Sequence, residues 1–340
     1  MKSILVMATG GTIASLPQAD GLAPALTGEE LVARVPLIDQ LCHIDVVQPM
    51  NIDSTNMRPR DWLRIADGIA SRYDDYDGFV VLHGTDTMAY TAAALSYLLQ
   101  GGSKPIVLTG SQQPMAAPFT DAKLNLYQSL LFATDDSARG VSVVFNGKAI
   151  AGTRAHKQRT LSFNAFVSMN FPTLAYIRGG RVLWSGGRGL APDASAGEKD
   201  EPLRRYTALD DRVIVLRLTP ELRPSIFSLI KDEYDAVILE TFGIGGIPDY
   251  DGGAFQRAIF GWVDSGRTLV LTTQVPEEGL DLGVYEVGRA YSEHPGILKG
   301  DDMSTEALVA KTMWVLGQTR DAAEVRRLFY RPVNSDRTMQ

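Results

Sequence analysis

Four short clusters in the first half of the chain carry groups able to do chemistry on a carbonyl. In Thr9-Gly10-Gly11-Thr12 a glycine pair lets the backbone turn sharply and approach a ligand, and the Thr12 hydroxyl just beyond could attack a carbonyl carbon. The same pattern also suits a plain strand-exit turn. It has neither the G-x-G-x-x-G spacing of a dinucleotide loop nor the G-K-[ST] ending of a phosphate loop, so no nucleotide site is expected. Asp53-Ser54-Thr55 is dense in hydrogen-bonding groups; it reads first as a cap ahead of Pro59, with a ligand site as the alternative. In His83-Gly84-Thr85-Asp86-Thr87 a helix N-terminus would keep Asp86 ionised and able to hold a substrate ammonium. One residue suffices to cap a helix, yet three capping types crowd this turn. His83, directly after apolar residues, reads as a structural histidine before it reads as a base. Thr153-Arg154-Ala155-His156-Lys157 supplies a lysine, which near hydroxyls and away from water could act as a base, and which exposed would only be solvated.

Other chemistries lack their parts. His43, His83, His156 and His294 form no H-x-x-x-H pair, and no G-x-S-x-G elbow occurs, so zincin and α/β-hydrolase motifs are missing. The single cysteine, Cys42, excludes an intramolecular disulfide and a multi-thiolate metal site; its adjacency to His43 does not make a thiol dyad. A small buried apolar role suits it better. No metal site is expected.

All four clusters follow, or nearly follow, a predicted strand. Apolar, β-branched runs at Ser3 to Ala8, Ile44 to Gln48, Gly78 to His83, Pro105 to Thr109 and Gly140 to Phe145 predict strands. Helical patterns lie between them at Thr27 to Val35, Arg58 to Tyr73, Thr87 to Leu99 and Thr120 to Thr134, each opening near a capping residue or a proline. That alternation predicts parallel strands with helical crossovers, whose carboxyl edge is where ligands bind. From Phe163 to about Trp184 the rhythm becomes irregular. The Gly-, Ala-, Asp- and Pro-rich stretch that follows predicts a linker over 186–211, after an N-terminal catalytic α/β domain of residues 1–185. A smaller C-terminal α/β domain, 212–340, is predicted from strands at Arg212 to Leu218, Ala236 to Glu240 and Thr268 to Thr273. Its helices are expected at Glu221 to Lys231, Gly253 to Ser265, Ser304 to Leu316 and Asp321 to Leu328.

Composition agrees with a folded protein: 45% of the 340 residues are hydrophobic and 21% charged. A formal net charge of -7 without long single-sign blocks disfavours nucleic acid as a partner, since affinity there comes chiefly from neutralising phosphates. The N-terminal run Ile4 to Ala8 is too short for a signal-peptide core, and no window approaches the ~20 apolar residues of a membrane span, so cytoplasmic residence is expected.

Taken together and in order, Thr9-Gly10-Gly11-Thr12-Ile13, Asp53-Ser54, His83-Gly84-Thr85-Asp86-Thr87-Met88, Thr109-Gly110-Ser111-Gln112 and Lys157 resemble the bacterial L-asparaginase family. Tyr73 to Phe79, leading into the third motif, looks most like its cytosolic branch. The resemblance implies a larger N-terminal and a smaller C-terminal α/β domain, and a homodimer or homotetramer. It also implies a cofactor-free double displacement on a small amino-acid substrate: a threonine attacks the side-chain amide, ammonia leaves, and water cleaves the acyl-enzyme. By position Thr12 would be the nucleophile, and Thr85, Asp86 and Lys157 the second catalytic group. Ser54 would bind the substrate α-carboxylate and Asp86 its α-ammonium, with Asp53 and Thr85 alongside. A free threonine hydroxyl is a poor nucleophile at neutral pH, so a base must accept its proton; Lys157 and Asp86 are the leading groups on offer.

The sequence also departs from the family pattern. The segment Leu16 to Pro24 carries no lid tyrosine, and Leu22 falls near its place. Cytosolic members contact an effector asparagine through an arginine and a cysteine of the C-terminal domain; here the matching strand reads Val237-Ile238-Leu239-Glu240-Thr241 and the later segment Thr272-Thr273-Gln274-Val275-Pro276 offers valine, so that allosteric route is not expected. Glu277 to Glu286 resembles secreted relatives that pass a glutamate into a neighbouring subunit's site, making Glu286 a substrate contact; the loop Gly243 to Ile247 would face the same interface. A glutaminase-asparaginase and a noncatalytic amino-acid binding protein are the alternatives. The related transfer-RNA amidotransferase component usually has an added N-terminal domain, whereas the first motif here begins at residue 9, so that reading is not expected.

Overall fold

The computed structural model describes residues 1–18, 21–186, 201–283 and 286–338, and only the backbone of Pro17, Gln18, Leu22, Glu286 and Val287. Most of the expected linker, 187–200, therefore lies outside the described residues, as do the side chains of Leu22 and Glu286. Two compact units emerge, Met1–Thr207 with Pro332–Asp336, and Ala208–Arg331 with Arg337–Gln340.

In the first unit the strands are β1 (Ser3–Ala8), β2 (Ser15–Gln18), β3 (Gly21–Pro24), β4 (His43–Val47), β5 (Gly78–Leu82), β6 (Leu99–Gln100) and β7 (Pro105–Thr109). Then follow β8 (Gly140–Phe145), β9 (Lys148–Ala151), β10 (Ala155–Lys157), β11 (Phe166–Ser168), β12 (Ala175–Arg178), β13 (Arg181–Trp184) and β14 (Arg204–Arg205). The helices are α1 (Gly28–Ala33), α2 (Pro59–Ala70), α3 (Met88–Leu98) and α4 (Ala122–Ala133). Eight strands form one sheet in the order β13-β12-β9-β8-β7-β5-β1-β4. From β4 to β8 all neighbours are parallel; beyond β8 the pairings are antiparallel.

The central strands are continuous apolar runs because helices cover both faces. Alternation sends Ile4, Val6 and Ala8 into a core shared with Leu31 of α1 and Leu126 and Leu130 of α4. Met7 points the other way, toward Gly68 of α2. Side chains such as Phe79, Val80 and Leu82 are fully buried, each contributing on the order of 1.5–3 kcal/mol. Cys42 is buried as expected, and burial pushes its thiol up to about 11.

The antiparallel end of the sheet was not expected from the sequence. Its strands are only four residues long and of mixed polarity, too short for a periodic signal. The turns carried the missed signal: Asn146-Gly147 and Gly179-Gly180 join consecutive strands, with φ values of 48, 72, 55 and 69 that suit two-residue hairpins.

The second unit has one parallel sheet, in the order β15 (Val213–Arg217), β16 (Ala236–Thr241), β17 (Thr268–Thr273) and β18 (Ile297–Lys299). Its helices are α5 (Ile226–Ile230), α6 (Tyr250–Asp264), α7 (Glu286–Glu293), α8 (Thr305–Gln318) and α9 (Ala322–Tyr330). Phe227, Phe255, Ile259 and Trp262 pack on Val237, Leu239, Leu269 and Leu271. The helix expected from Glu221 begins only at Ile226, because Glu221 is left-handed, φ 67, and Pro224 intervenes. Asp251, Gly252 and Gly253 are also left-handed, so regular helix in α6 starts beyond them. Among the described residues no helix is long and apolar enough to cross a membrane.

Candidate active site

The strand order β4-β1-β5-β7-β8 corresponds to 2-1-3-4-5, which reverses direction between β1 and β5 and opens a crevice there at the carboxyl edge. The loops after β4, β1, β5 and β7 are the motif loops, and they follow four adjacent strands. Hydrogen bonding continues past the regular strands. Gly11 N–H donates to Ile52 O at 2.9 Å, Ile52 N–H to Thr9 O at 2.9 Å, Thr9 N–H to Leu82 O at 3.0 Å, and His83 N–H to Thr109 O at 2.8 Å. The motifs are thus sewn edge to edge before any side chain acts.

Two glycines set how close they come. Gly11 has φ 82 and ψ -175, a conformation open essentially to glycine alone. A Cβ on Gly11 would stand 2.3 Å from Gly84 Cα, and one on Gly84 would stand 2.5 Å from Ser54 Oγ. Close approach at these two glycines, backbone to backbone at Gly11 and backbone to the Ser54 side chain at Gly84, therefore places the loops of Thr12, Ser54 and Thr85 against each other.

Thr12 opens a one-turn 3-10 helix, Thr12–Ala14, and is partly exposed; among the described residues nothing hydrogen-bonds its hydroxyl. By contrast Thr9 Oγ1 donates to Leu82 O at 2.8 Å and Ser15 Oγ to Gly11 O at 3.1 Å, so both are structural. Ser54 is buried at the start of another 3-10 turn, Ser54–Asn56. Asp53 caps that turn, accepting from Thr55 N–H and Thr55 Oγ1, both at 2.9 Å. The capping role of this segment thus belongs to Asp53, and Ser54 is left facing the Gly84 loop.

The third motif resolves in a similar way. Thr87 precedes α3 but makes no side-chain cap; its hydroxyl donates instead to Ser54 O at 2.8 Å. Thr85 is buried and Asp86 exposed, and Lys157 Nζ donates to Thr85 Oγ1 at 2.8 Å and to Asp86 Oδ1 at 2.6 Å. The Asp86 side chain is 57% exposed and that of Lys157 18%, so solvent screens the ion pair and its directional value exceeds its contribution to stability. His83 is fully buried, with Nδ1 2.7 Å from Gly84 O and Nε2 2.9 Å from Thr91 Oγ1. Desolvation pushes its pKa down to about 4. A neutral ring donating from Nδ1 and accepting at Nε2 satisfies both contacts, which makes His83 a brace for the Gly84 turn rather than a base.

Lys157 reaches Thr85 across 72 residues of sequence because β10 and β11 form a separate hairpin beside α3. The base of that hairpin is anchored in the interior. Thr153 Oγ1 donates to Asn334 O at 2.6 Å and the fully buried Arg154 donates through Nε to Ser335 O at 2.5 Å. Asn334 in turn donates to Ser96 Oγ and Val141 O at 2.8 and 2.9 Å. These anchors are invisible in the sequence, since nothing local links residues 153–154 to 334–335. Gln112 is a second residue whose part the sequence does not announce, although it lies within a motif. Its Oε1 accepts from Thr85 Oγ1 at 3.2 Å.

Glu286 begins α7, and its side chain lies outside the described residues. Two surface cavities, about 670 and 560 Å³, lie elsewhere and are lined by none of Thr12, Ser54, Thr85, Asp86 or Lys157. Among the described residues no group of three or more His, Cys, Asp or Glu could hold a metal ion.

A doubly wound α/β unit whose carboxyl edge gathers threonine hydroxyls, a lysine ammonium and a carboxylate has the groups of a hydrolytic enzyme. Comparison with known proteins gives the family. The family model "Asparaginase, N-terminal" matches residues 3–188 and "Glutaminase/Asparaginase C-terminal domain" matches 212–329; the chain belongs to the asparaginase family. The L-asparaginase of Thermococcus kodakarensis is 38% identical over 98% of this chain and 99% of its own. L-asparaginase 1 of Escherichia coli is 33% identical over 96% of this chain and 95% of its own. Among solved structures, a probable cytoplasmic L-asparaginase from Campylobacter jejuni matches with a TM-score of 0.81 and 27% identity, covering 97% of this chain and 99% of that one.

Proposed function

We propose that this chain hydrolyses L-asparagine to L-aspartate and ammonia, with Thr12 as nucleophile. The observation that carries the reading is the Lys157-Thr85-Asp86 cluster, at 2.8 and 2.6 Å, on a loop whose backbone touches the Thr12 loop at Gly11 and Gly84. Thr12 Oγ1 forms a bond to the side-chain amide carbon, and the C–N bond breaks as nitrogen gains the proton that Thr12 loses. Lys157 and Thr85 are the groups placed to relay that proton. Water then adds to the ester, releases aspartate and returns the proton to Thr12. Backbone N–H groups near Thr12 and Thr85 stabilise the oxyanion, a contribution of roughly 3 kcal/mol per donor. Ser54 takes the substrate α-carboxylate. Asp86, which gives one oxygen to Lys157 and is more than half exposed, takes the α-ammonium with the other. Asp53 supports Ser54 from its cap, and Glu286 is proposed as a further substrate contact.

The proposal includes a homo-oligomer in the cytoplasm. Phe119 and Leu161 stand 88% and 85% exposed on loops flanking Gln112 and Lys157, apolar area that a second copy would cover. The Campylobacter relative, described as cytoplasmic, supports the compartment.

The test is ammonia release from L-Asn, L-Gln and D-Asn by wild type, Thr12→Ala, Thr85→Ala and Lys157→Met, with aspartate binding measured in parallel. L-Asn turnover lost in all three variants is expected. A folded wild type that binds aspartate and releases no ammonia would show a binding protein instead. One methylene changes binding by only ~1–3 kcal/mol, so the L-Gln arm decides the glutaminase alternative.

A further inference from the structure

We infer that Gln112 is a positioning residue that fixes the Thr85 hydroxyl with its proton toward Gln112 and a lone pair toward Lys157; the inference rests on the reading of the site just given. Thr85 Oγ1 has two partners of opposite sense. It accepts from Lys157 Nζ at 2.8 Å and donates to Gln112 Oε1 at 3.2 Å. A hydroxyl has one proton, so the Gln112 acceptor holds that proton on the side away from Lys157 and presents a lone pair to the ammonium.

The carboxamide is itself fixed in orientation. Its Nε2 donates to Ser162 O at 3.2 Å and Arg159 O at 3.4 Å, both acceptors, which leaves Oε1 as the atom facing Thr85. The backbone is pinned as well: Gln112 N–H donates to the Asp121 carboxylate at 3.0 and 3.1 Å, and Gln113 N–H to the same group at 3.0 Å. Asp121 is buried and also accepts from Asn125 Nδ2 at 3.0 Å. Gln112 therefore joins three things: a rigid anchor below, the 159–162 loop just beyond Lys157, and the Thr85 proton. When substrate arrives, the proton held by Gln112 is the one Thr85 can turn toward the leaving nitrogen, while Thr85 Oγ1 takes its replacement from Lys157 and Lys157 accepts the proton that Thr12 loses.

Two variants separate this role from simple tethering of the loop. Gln112→Glu keeps an acceptor for the Thr85 hydroxyl and loses the donors to Arg159 O and Ser162 O. Gln112→Met, close in size, loses both. Steady-state ammonia release from L-asparagine is measured for the full chain, with Lys157→Met as the inactive reference and thermal melts as a check on folding. For Gln112→Met we expect kcat to fall about 10-fold with KM changed less than about 3-fold, a smaller loss than the ~100-fold of a 1 Å misplacement. Gln112→Glu should lie closer to wild type in kcat than Gln112→Met does. Wild-type kcat in Gln112→Met, or a Gln112→Glu variant no better than Gln112→Met, overturns the inference and leaves the site reading intact. A wild type without turnover overturns both.

Discussion

Replacing Gly11 by alanine tests whether the glycine contact, rather than the hydroxyls alone, makes the site. At φ 82 and ψ -175 any other residue is strained by roughly 1–3 kcal/mol. The new Cβ would also lie 2.3 Å from Gly84 Cα and 2.4 Å from Gly84 N. Carbon atoms pack at about 3.5–4.0 Å, so one backbone must retreat by more than about 1 Å. A displacement of that size at a reacting pair costs about 100-fold, or about 2.7 kcal/mol in the barrier. Gly11→Ala should therefore lower kcat for L-asparagine by about 100-fold and lower Tm by roughly 2–10 °C. The assays are ammonia release at saturating substrate and calorimetry. Gly261→Ala is the control. Its Cβ meets nothing within 4 Å and it lies inside α6, so it should leave activity alone and stabilise by up to about 1 kcal/mol. Wild-type kcat in a folded Gly11→Ala enzyme would refute the packing argument.

Lys157→Arg keeps a cation beside Asp86 but cannot give up its proton, so kcat should fall by about 10²- to 10⁴-fold while aspartate binding persists; near-normal turnover would remove Lys157 from proton transfer. His83 makes stability depend on pH. Its pKa is depressed from 6.5 to about 4 in the folded chain, so between those values the unfolded state binds the extra proton. Stability is thus complete above about pH 6.5 and is lost progressively as pH falls toward 4, by on the order of 3 kcal/mol. Melts of wild type and His83→Asn over that window check it; parallel slopes would refute it. Thr153→Val removes the 2.6 Å bond to Asn334 O and should cost roughly 1–3 kcal/mol of stability, together with several-fold in kcat at unchanged KM. An unchanged kcat would free Lys157 from this anchor.

The parallel half of the first unit was legible because burial on both faces leaves unbroken apolar strands, and because Thr27 and Pro59 mark helix starts by their own chemistry. The C-terminal alternation was legible for the same reason, save where Pro224 delays a helix. Partnership over distance was not legible. Nothing near Lys157 says that its ammonium meets Thr85, and in isolation a solvated lysine is the simpler reading. His83 was assigned a structural role from its apolar neighbours, and the two ring contacts supply the reason. The crowding of Thr85, Asp86 and Thr87 pointed to more than a cap, and none of these side chains proves to cap α3. Least legible was how the proposed nucleophile Thr12 would be activated, since Leu16 to Pro24 carries no tyrosine. The proposed function gives that task to the Lys157 cluster, supported by its contact with Thr85.

Parallel strands explain why three of the four clusters meet, and they also explain why the fourth needed another device. Loops after β1, β4, β5 and β7 emerge at one edge by topology alone. After β8 the chain turns back along antiparallel β9, which ends at the opposite edge, so a residue following β9 starts far from the crevice. β10 returns the chain beside α3, whose N-terminus carries Thr85 and Asp86. Among the described residues such a detour has no ladder to the main sheet, and left alone it would be free to slide. Its base is instead bolted at Thr153 and Arg154 to Asn334 and Ser335, two residues held at left-handed φ values of 48 and 61. From Thr153 to Lys157 is four residues, on the order of 13 Å of extended chain, so the bolt fixes where the lysine falls. Beyond it, Gln112 holds the 159–162 loop. Anchored on both sides, Lys157 can stand on a two-stranded hairpin outside the main sheet and still meet a hydroxyl at 2.8 Å.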